Sequence, residues 1–465
     1  MPTGVSSANR SGVPPLAPER PVVWPPRKRV QLANGLDIVL LESHTIPKFT
    51  GELFLRSGNA AVAGQAVGLA EMTAAVVRTG TSRRASRQIE EGLRRMGANL
   101  AASAGADTSA ISFEGLAEFS GPLLELVSEL AQHASFPADE FERERRQTIE
   151  ALRIERATPE FLAGERLRKT LFGDHPYALV SPTEAQVQAY RREELLWVYR
   201  EHYRPGNALL VLVGDYGAER MLEQVEKVFA SWPAGKARPT RPPAPLAPYG
   251  RRVYLVHLPG AVQTQVLVGC LSITRKHPDW MRLGLANCIY GGAFNSRLVM
   301  NIREQKGYTY SPRSTVHALR QHGYFTIHAA VRNEVVAATL TEIFYELDRM
   351  RALPVPDDEL ADARNYLSGV FSLGLGTQDG LLSQLSTVYL NELPEDYLES
   401  YRERVRALTS KDVLAAARKY FNSANAQIVI VGDRNEVEAQ AKLFGELTVY
   451  DAQGSVLERS IEKGP

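Results

Sequence analysis

The nine histidines are the side chains of this sequence that most readily bind metals or transfer protons. They are His44, His133, His175, His202, His257, His277, His317, His322 and His328. None stands four positions from another, the spacing that places two imidazoles on one face of a helix. His317, His322 and His328 fall on neighbouring strand-like segments, so a cross-strand pair stays open as an alternative. We interpret the others as ordinary surface or half-buried histidines.

The two cysteines, Cys270 and Cys288, are the remaining candidates for metal or redox chemistry. One lies in an apolar strand-like run and the other in a helical run. We interpret them as a free, buried pair rather than a disulfide or a metal site. They therefore do not identify a redox compartment.

The elements that carry any site are organised as an internal duplication. The sequence NALLVLVGD at Asn207–Asp215 recurs as NAQIVIVGD at Asn425–Asp433. Gly68-Leu69-Ala70 likewise recurs, at nearly the same offset along the chain, as Gly284-Leu285-Ala286. Two separate matches at nearly one offset indicate duplicated domains, because solenoid repeats have much shorter periods.

A proline-rich segment separates the two copies. Residues 233–249 contain six prolines and almost no bulky apolar side chains, as in a semi-rigid linker. We predict four parts: an extension over residues 1–27, a first domain over 28–232, the linker over 233–249, and a second domain over 250–460.

The hydrophobic periodicity separates strands from runs of helices. In the first domain, strand-like segments at 37–42, 50–56, 99–104 and 109–115 precede helical segments at 121–133 and 138–156. The second domain follows a similar order. This pattern predicts an α+β fold of two homologous halves, each a mainly antiparallel sheet with helices packed on one face.

One helical segment in the first domain has a specific resemblance. Gly68–Thr81, GLAEMTAAVVRTGT, resembles the helix that carries the inverted zinc motif H-x-x-E-H in the insulinase/pitrilysin family of peptidases. In that family the two histidines bind zinc and the glutamate activates a water molecule. Here the first histidine position holds Glu71, the general-base position Ala74, and the second histidine position Ala75.

The third zinc ligand of the family is a glutamate on a later helix, and the resemblance places it at Ala151. Glu150 stands one position away on a different helix face, and a shift of register would bring it to the ligand position. Even then it would have no histidines with which to share the ion. We therefore predict that this chain holds no metal.

A second motif lies in the other domain. Gly291–Leu298 leads into Asn301–Ser311, and together they resemble the family's C-terminal signature. The resemblance implies that Arg303 and Tyr310, seven positions apart, bind the substrate. A guanidinium and a phenolic hydroxyl supply the donors that peptide carbonyls and a developing oxyanion need. Without the resemblance, an arginine on a helix surface and a tyrosine packed by its ring are ordinary features.

The resemblance covers residues 28–445 and implies a function. In the two-chain branch of the family, which includes processing peptidases of the mitochondrial type, one chain supplies zinc and the other the Arg/Tyr pair. This sequence has only the second set. We expect a substrate-binding subunit that is inactive alone, with zinc on a homologous partner and a peptide or unfolded polypeptide as substrate. A purely structural scaffold is the alternative, and an active enzyme with an unusual metal site is a third interpretation.

Charge and hydropathy limit the remaining classes. With 54 basic and 53 acidic residues the net charge is +1, which gives no reason to propose a nucleic-acid partner. No run approaches the ~20 apolar residues of a membrane-spanning helix. The segment Met1–Arg29 lacks the apolar core of a secretory signal. We expect a soluble protein, cytoplasmic as written, or periplasmic if a signal peptide precedes this sequence.

Overall fold

The computed structural model describes residue 22, residues 24–237 and residues 242–459. Most of the predicted extension, part of the predicted linker and the end of the predicted second domain lie outside these ranges. The bounds of the four predicted parts therefore stay predictions.

Thirteen strands are present in the described residues. They are β1 (Arg27–Gln31), β2 (Asp37–Glu42), β3 (Lys48–Leu55), β4 (Asn99–Ala104), β5 (Ser109–Leu116), β6 (Ala208–Gly214), β7 (Arg252–His257), β8 (Gln263–Ser272), β9 (Arg313–Ala318), β10 (Gly323–Arg332), β11 (Gln427–Gly432), β12 (Glu446–Tyr450) and β13 (Val456–Arg459). They form two sheets, one with the order β1-β2-β6-β3-β5-β4 and one with the order β13-β12-β7-β11-β8-β10-β9.

Helices occupy most of the remaining described chain. They are α1 (Asn59–Val62), α2 (Leu69–Val77), α3 (Ser86–Met96), α4 (Ser120–His133), α5 (Ala138–Arg156), α6 (Pro159–Phe172), α7 (Glu184–Ala189), α8 (Arg192–His202), α9 (Ala218–Phe229), α10 (Trp280–Asn287), α11 (Val336–Ala352), α12 (Asp357–Gly374), α13 (Gln378–Leu390), α14 (Tyr397–Ala407), α15 (Ser410–Tyr420) and α16 (Arg434–Ala441). Two π-helical segments, π1 (Cys288–Gly292) and π2 (Val299–Gln305), follow α10. Among the helices of the described ranges, none has the length and apolar character needed to cross a membrane.

The two copies of the repeated sequence occupy equivalent places in the two sheets. Strand β6 lies parallel to β2 and antiparallel to β3, and β11 lies parallel to β7 and antiparallel to β8. Leu210 stands opposite Ile38 in β2, and Ile428, its counterpart in the second copy, stands opposite Val253 in β7. The predicted α+β class and the two homologous halves are confirmed. The sheets differ at one edge, where β1 is antiparallel to β2 but β12 is parallel to β7.

One face of each sheet packs on helices of its own half. In the first half, Leu210 and Leu212 of β6 point into a core formed by α2, α4, α5, α8 and α9. In the second half, Ile428 and Ile430 of β11 point into a core formed mainly by α10, α11, α12 and α15. Every residue of β6 and β11 is buried, so the opposite face of each central strand is covered as well.

The opposite faces are covered by helices exchanged between the halves. Helix α13 of the second half lies on β6 and β3, where Leu385 packs with Val39 and Val211. Helix α6 of the first half lies on β8 and β11, where Leu167 packs with Val429. Helix α6 was not predicted from the sequence. An amphipathic pattern shows that a helix has an apolar face but not which sheet receives it.

This exchange predicts strong coupling between the halves. Replacement of Leu385, which is fully buried, by Ala should lower the free energy of unfolding by about 2–5 kcal/mol, because the substitution leaves a cavity against the first sheet. Chemical denaturation followed by fluorescence and circular dichroism measures this loss. Leu373→Ala is the matched control, since Leu373 is 79% exposed and should change stability by less than about 0.5 kcal/mol. Equal losses in the two variants would contradict the exchange.

Candidate functional site

Helix α2 begins at a glycine that the packing requires. Gly68 has a φ of +74°, and a Cβ there would lie 2.9 Å from the hydroxyl of Tyr190. That hydroxyl donates a hydrogen bond to the carbonyl of Val67. Beyond the glycine, Leu69 and Met72 are buried against the first sheet. The entry of the helix is therefore fixed by packing that involves none of the positions resembling zinc ligands.

The positions that resemble the zinc motif differ in exposure. Glu71 is exposed and accepts a hydrogen bond of 2.9 Å from the side chain of Asn59. Ala74 is fully buried, and Ala75, the next residue, is partly buried. An acidic side chain at Ala74 would therefore start from a position that is removed from water. The helix thus presents a single carboxylate to solvent in this region.

Helix α5 packs against α2, as the resemblance requires. Its acidic first turn and the arginines of its last turn suit the helix dipole. Ala151 is exposed on this helix, while Glu150 is held in an ion pair of 2.6 Å with Arg153. Within residues 24–237 and 242–459, no group of three or more His, Cys, Asp or Glu side chains is arranged to hold a metal ion.

The carboxyl group of Glu71 has an altered affinity for protons. Its side chain contacts water but is also packed against the protein. The resulting partial loss of hydration raises the pKa of Glu71. The hydrogen bond from Asn59 lowers the pKa in part, and the charge of Glu155 on α5 raises it further. Glu71 is therefore harder to ionise than an ordinary glutamate.

The three histidines on strand-like segments do not converge. His317 of β9 stands opposite Tyr324 and stacks on its ring at 4.3 Å, whereas His328 of β10 stands opposite Arg313. Burial lowers the pKa of both imidazoles to about 4. His322 lies in the turn between the strands, with its ring 5.5 Å from that of His175. The two cysteines are buried and free.

The Arg/Tyr motif lies on and after π2. Arg303 lies near the end of this segment, with its side chain 33% exposed and its Nε 3.2 Å from Glu304. Tyr310 follows a turn at Gly307 and is 89% exposed. Tyr310 is therefore open to solvent, whereas Arg303 is partly exposed.

Buried residues of π2 hold the segment in place. Ile302 is fully buried in the core of the second half. The amide of Asn301 donates hydrogen bonds of 2.9 Å to the carboxylates of Glu342 and Glu346 on α11. Arg303 therefore projects from a rigid support, and π-helical segments of this kind are frequent at functional sites.

One residue beside this pair was not predicted from the sequence. The ring of Phe294 lies 4.9 Å from the guanidinium carbon of Arg303 and is 69% exposed. The only signal in the sequence was an aromatic residue within a glycine-containing run. That signal does not show whether the ring is buried.

The sequence and fold match known proteins. Residues 38–180 match the family described as Insulinase (Peptidase family M16), and residues 190–367 match Peptidase M16 inactive domain. The chain belongs to peptidase family M16, and the predicted resemblance is confirmed.

Relatives in two bacteria carry the name of uncharacterized zinc proteases. The protein YmxG of Bacillus subtilis is 22% identical over 403 residues, which cover 84% of this chain and 97% of the relative. A protein of Streptomyces coelicolor is 26% identical over 306 residues, which cover 63% of this chain and 65% of the relative.

Two solved structures share the fold. A peptidase M16 inactive domain from Pseudomonas fluorescens has a TM-score of 0.83 and 27% sequence identity, and the match covers 88% of this chain and 98% of that one. A protease from Helicobacter pylori also has a TM-score of 0.83, at 21% identity, with 88% and 99% covered. The second likeness concerns the fold alone.

The residues of α2 and α5 lead to a prediction about metal content. We expect the purified chain, after dialysis against buffer free of chelator, to hold far less than one zinc ion per molecule. The physical reason is that Glu71, Ala74, Ala75 and Ala151 offer one carboxylate where a zinc site needs three ligands. Elemental analysis by mass spectrometry measures the content. About one tightly held zinc per chain would contradict the expectation.

The raised pKa of Glu71 leads to a second prediction. A carboxyl group whose pKa is higher in the folded state lowers the free energy of unfolding of the protein as the pH rises from the unfolded pKa to the folded pKa. Glu71→Gln should therefore raise the melting temperature at pH 7, and the difference should shrink as the pH falls towards about 4.3, the ordinary glutamate pKa, and be lost below it. Thermal unfolding across this pH range measures it.

Glu150→Gln is the control for this measurement. It removes an exposed carboxylate of the neighbouring helix that is paired with Arg153, so it should not raise the melting temperature. An equal rise in the two variants would show that the effect comes from net charge rather than from the surroundings of Glu71.

Proposed function

We propose that this chain is a substrate-binding, catalytically incomplete subunit of a two-chain zinc metallopeptidase that acts on peptides or unfolded polypeptides. The observation that carries the proposal is a contrast between the two halves. Tyr310 is exposed and Arg303 is partly exposed, whereas Glu71, Ala74 and Ala75 replace the zinc motif. A homologous chain with an intact motif is the partner that such a subunit needs.

The chemistry divides between the chains in this proposal. Zinc on the partner would activate the attacking water. The residues of this chain hold the peptide: the guanidinium of Arg303 donates hydrogen bonds to a substrate carbonyl, and the hydroxyl of Tyr310 donates to the oxygen on which negative charge develops. Donors that are fixed before the reaction stabilise such charge without reorganisation.

The edge strand β4 of the first half offers main-chain groups to an extended peptide, separately from Arg303 and Tyr310 in the second half. Strand β4 pairs with β5 on one side and forms the outer edge of the first sheet in the described part of the chain. Its sequence, NLAASA, contains no charged residue and no proline to block further pairing. Helix α2 packs beside it. A peptide added as a strand at such an edge gains main-chain hydrogen bonds whatever its sequence.

A structural scaffold without a role in proteolysis is the second candidate. One observation favours it: Arg303 already contacts Glu304 and Phe294 within the chain, as an arginine with a purely structural role would. The presence of both Arg303 and Tyr310, seven positions apart, argues in the other direction, because a scaffold has no need to retain the pair. On this balance we prefer the substrate-binding role.

The test is reconstitution with a zinc-bearing homologue. We expect the mixture to cleave an unfolded polypeptide faster than the homologue alone. Tyr310→Phe keeps the ring and removes the hydroxyl, so it should lower kcat by roughly 10²–10³, the usual effect of losing one oxyanion donor. Arg303→Ala should act mainly through KM, because it removes a contact made before the transition state. Steady-state kinetics with the purified chains separates the two effects.

Matched controls accompany both variants. Tyr345→Phe changes another exposed tyrosine of the second half, and Arg87→Ala removes an arginine that is 89% exposed in the first half. Both should leave kcat and KM unchanged. If Tyr310→Phe and Arg303→Ala also match the parent chain while the complex forms, the scaffold function is the correct one.

A further inference from the structure

Phe294 is an exposed aromatic residue, whereas the other phenylalanines of the described chain are buried or partly buried. Its side chain is 69% exposed, whereas no other phenylalanine of the described chain is among the exposed large apolar residues. A single exposed apolar side chain is common on protein surfaces. The surroundings of Phe294 give this one its significance.

The loop that carries Phe294 is held rigidly. It connects π1 to the segment that leads into π2, and its flanking residues Ala293 and Ser296 are 6% and 2% exposed. A Cβ at Gly291 would lie 2.6 Å from the hydroxyl oxygen of Ser314 on β9, so only glycine allows this close approach. The exposure of Phe294 is therefore a property of an ordered, well-packed loop.

The ring lies beside the proposed substrate-binding pair. The guanidinium carbon of Arg303 is 4.9 Å from the centre of the Phe294 ring, within the range of a cation–π contact. This contact limits the orientations of the guanidinium and leaves most of the ring surface open. An open aromatic face next to a hydrogen-bond donor can receive an apolar side chain of the peptide that the donor holds.

We propose that Phe294 is a specificity-determining residue, which contacts a bulky apolar side chain of the bound peptide and makes this chain prefer such peptides. The inference rests on the proposed function, because it requires that Arg303 binds a peptide. Arg303 holds the main chain of the peptide and does not depend on its sequence. Phe294 contacts one side chain of the peptide, and burial of that side chain against the ring provides the preference for bulky apolar residues.

The experiment compares two short fluorescein-labelled peptides that differ only in one central residue, Phe or Ala. Binding to the full chain is measured by fluorescence anisotropy. We expect the parent chain to bind the Phe peptide about tenfold more tightly, the ratio that partial burial of one aromatic side chain gives. Phe294→Ala should reduce this ratio to about one by weakening only the Phe peptide. Phe294→Leu should keep most of it, because leucine still offers an apolar surface.

Two further variants separate this inference from the proposed function. Arg303→Ala should weaken both peptides by the same factor and leave their ratio unchanged. Tyr249→Ala, which removes an aromatic residue that is 88% exposed outside the site, should change neither affinity. Melting temperatures equal to that of the parent establish that the variants are folded, as expected for exposed side chains.

The outcomes are distinct. If Arg303→Ala weakens both peptides but Phe294→Ala keeps the parent ratio, the specificity role is wrong and the proposed function stands. The role is also wrong if Phe294→Ala and Phe294→Leu weaken both peptides equally, since the ring then only supports Arg303. If the parent chain binds neither peptide, or if Arg303→Ala has no effect on binding, the proposed function itself is wrong.

Discussion

Burial of both faces of the two central strands is the constraint on which the rest of the structure depends. Strands β6 and β11 are buried throughout, and in the described residues each half provides helices for one face of its own sheet. The second face of the first sheet is covered by α13, which belongs to the second half. The second face of the second sheet is covered by α6, which belongs to the first half. A β-strand with two apolar faces is stable only when both are removed from water. The halves therefore need one another for their cores.

The fold could be predicted from the sequence to a large extent because the duplication is visible in the residues themselves. Asn207–Asp215 and Asn425–Asp433 have the same apolar pattern, and equivalent strands need equivalent neighbours. The helix exchange could not be predicted in this way. Leu167 and Leu385 stand on amphipathic helices whose apolar faces suit either sheet, and only the three-dimensional packing selects between them.

The candidate site shows a different limit of sequence reasoning. Spacing was enough to single out Arg303 and Tyr310, but it carried no information on the ring beside them. Whether Phe294 is buried depends on how its loop packs, and the neighbouring Gly291 lies against Ser314 of β9, a residue of another element. Exposure and electrostatic surroundings, such as those that raise the pKa of Glu71, also arise only when distant segments meet.

Helix α2 illustrates how packing and chemistry are separated on one element. Leu69 and Met72 anchor it in the core, and Gly68 fixes its entry. Glu71, which is exposed, and Ala75, which is partly buried, occupy the other side. The residues that hold this helix in place are thus different from the two positions that resemble zinc ligands.

The helix exchange also has a consequence for synthesis on the ribosome. The first sheet is complete once Gly214 has been made, but α13 begins only at Gln378. At typical elongation rates the interval between them is on the order of ten seconds or more. Throughout that time the face of the first sheet that contains Val39 and Val211 lacks α13, the helix of the described chain that lies on β6 and β3. The nascent chain therefore leaves much of an apolar sheet face in water until the second half arrives.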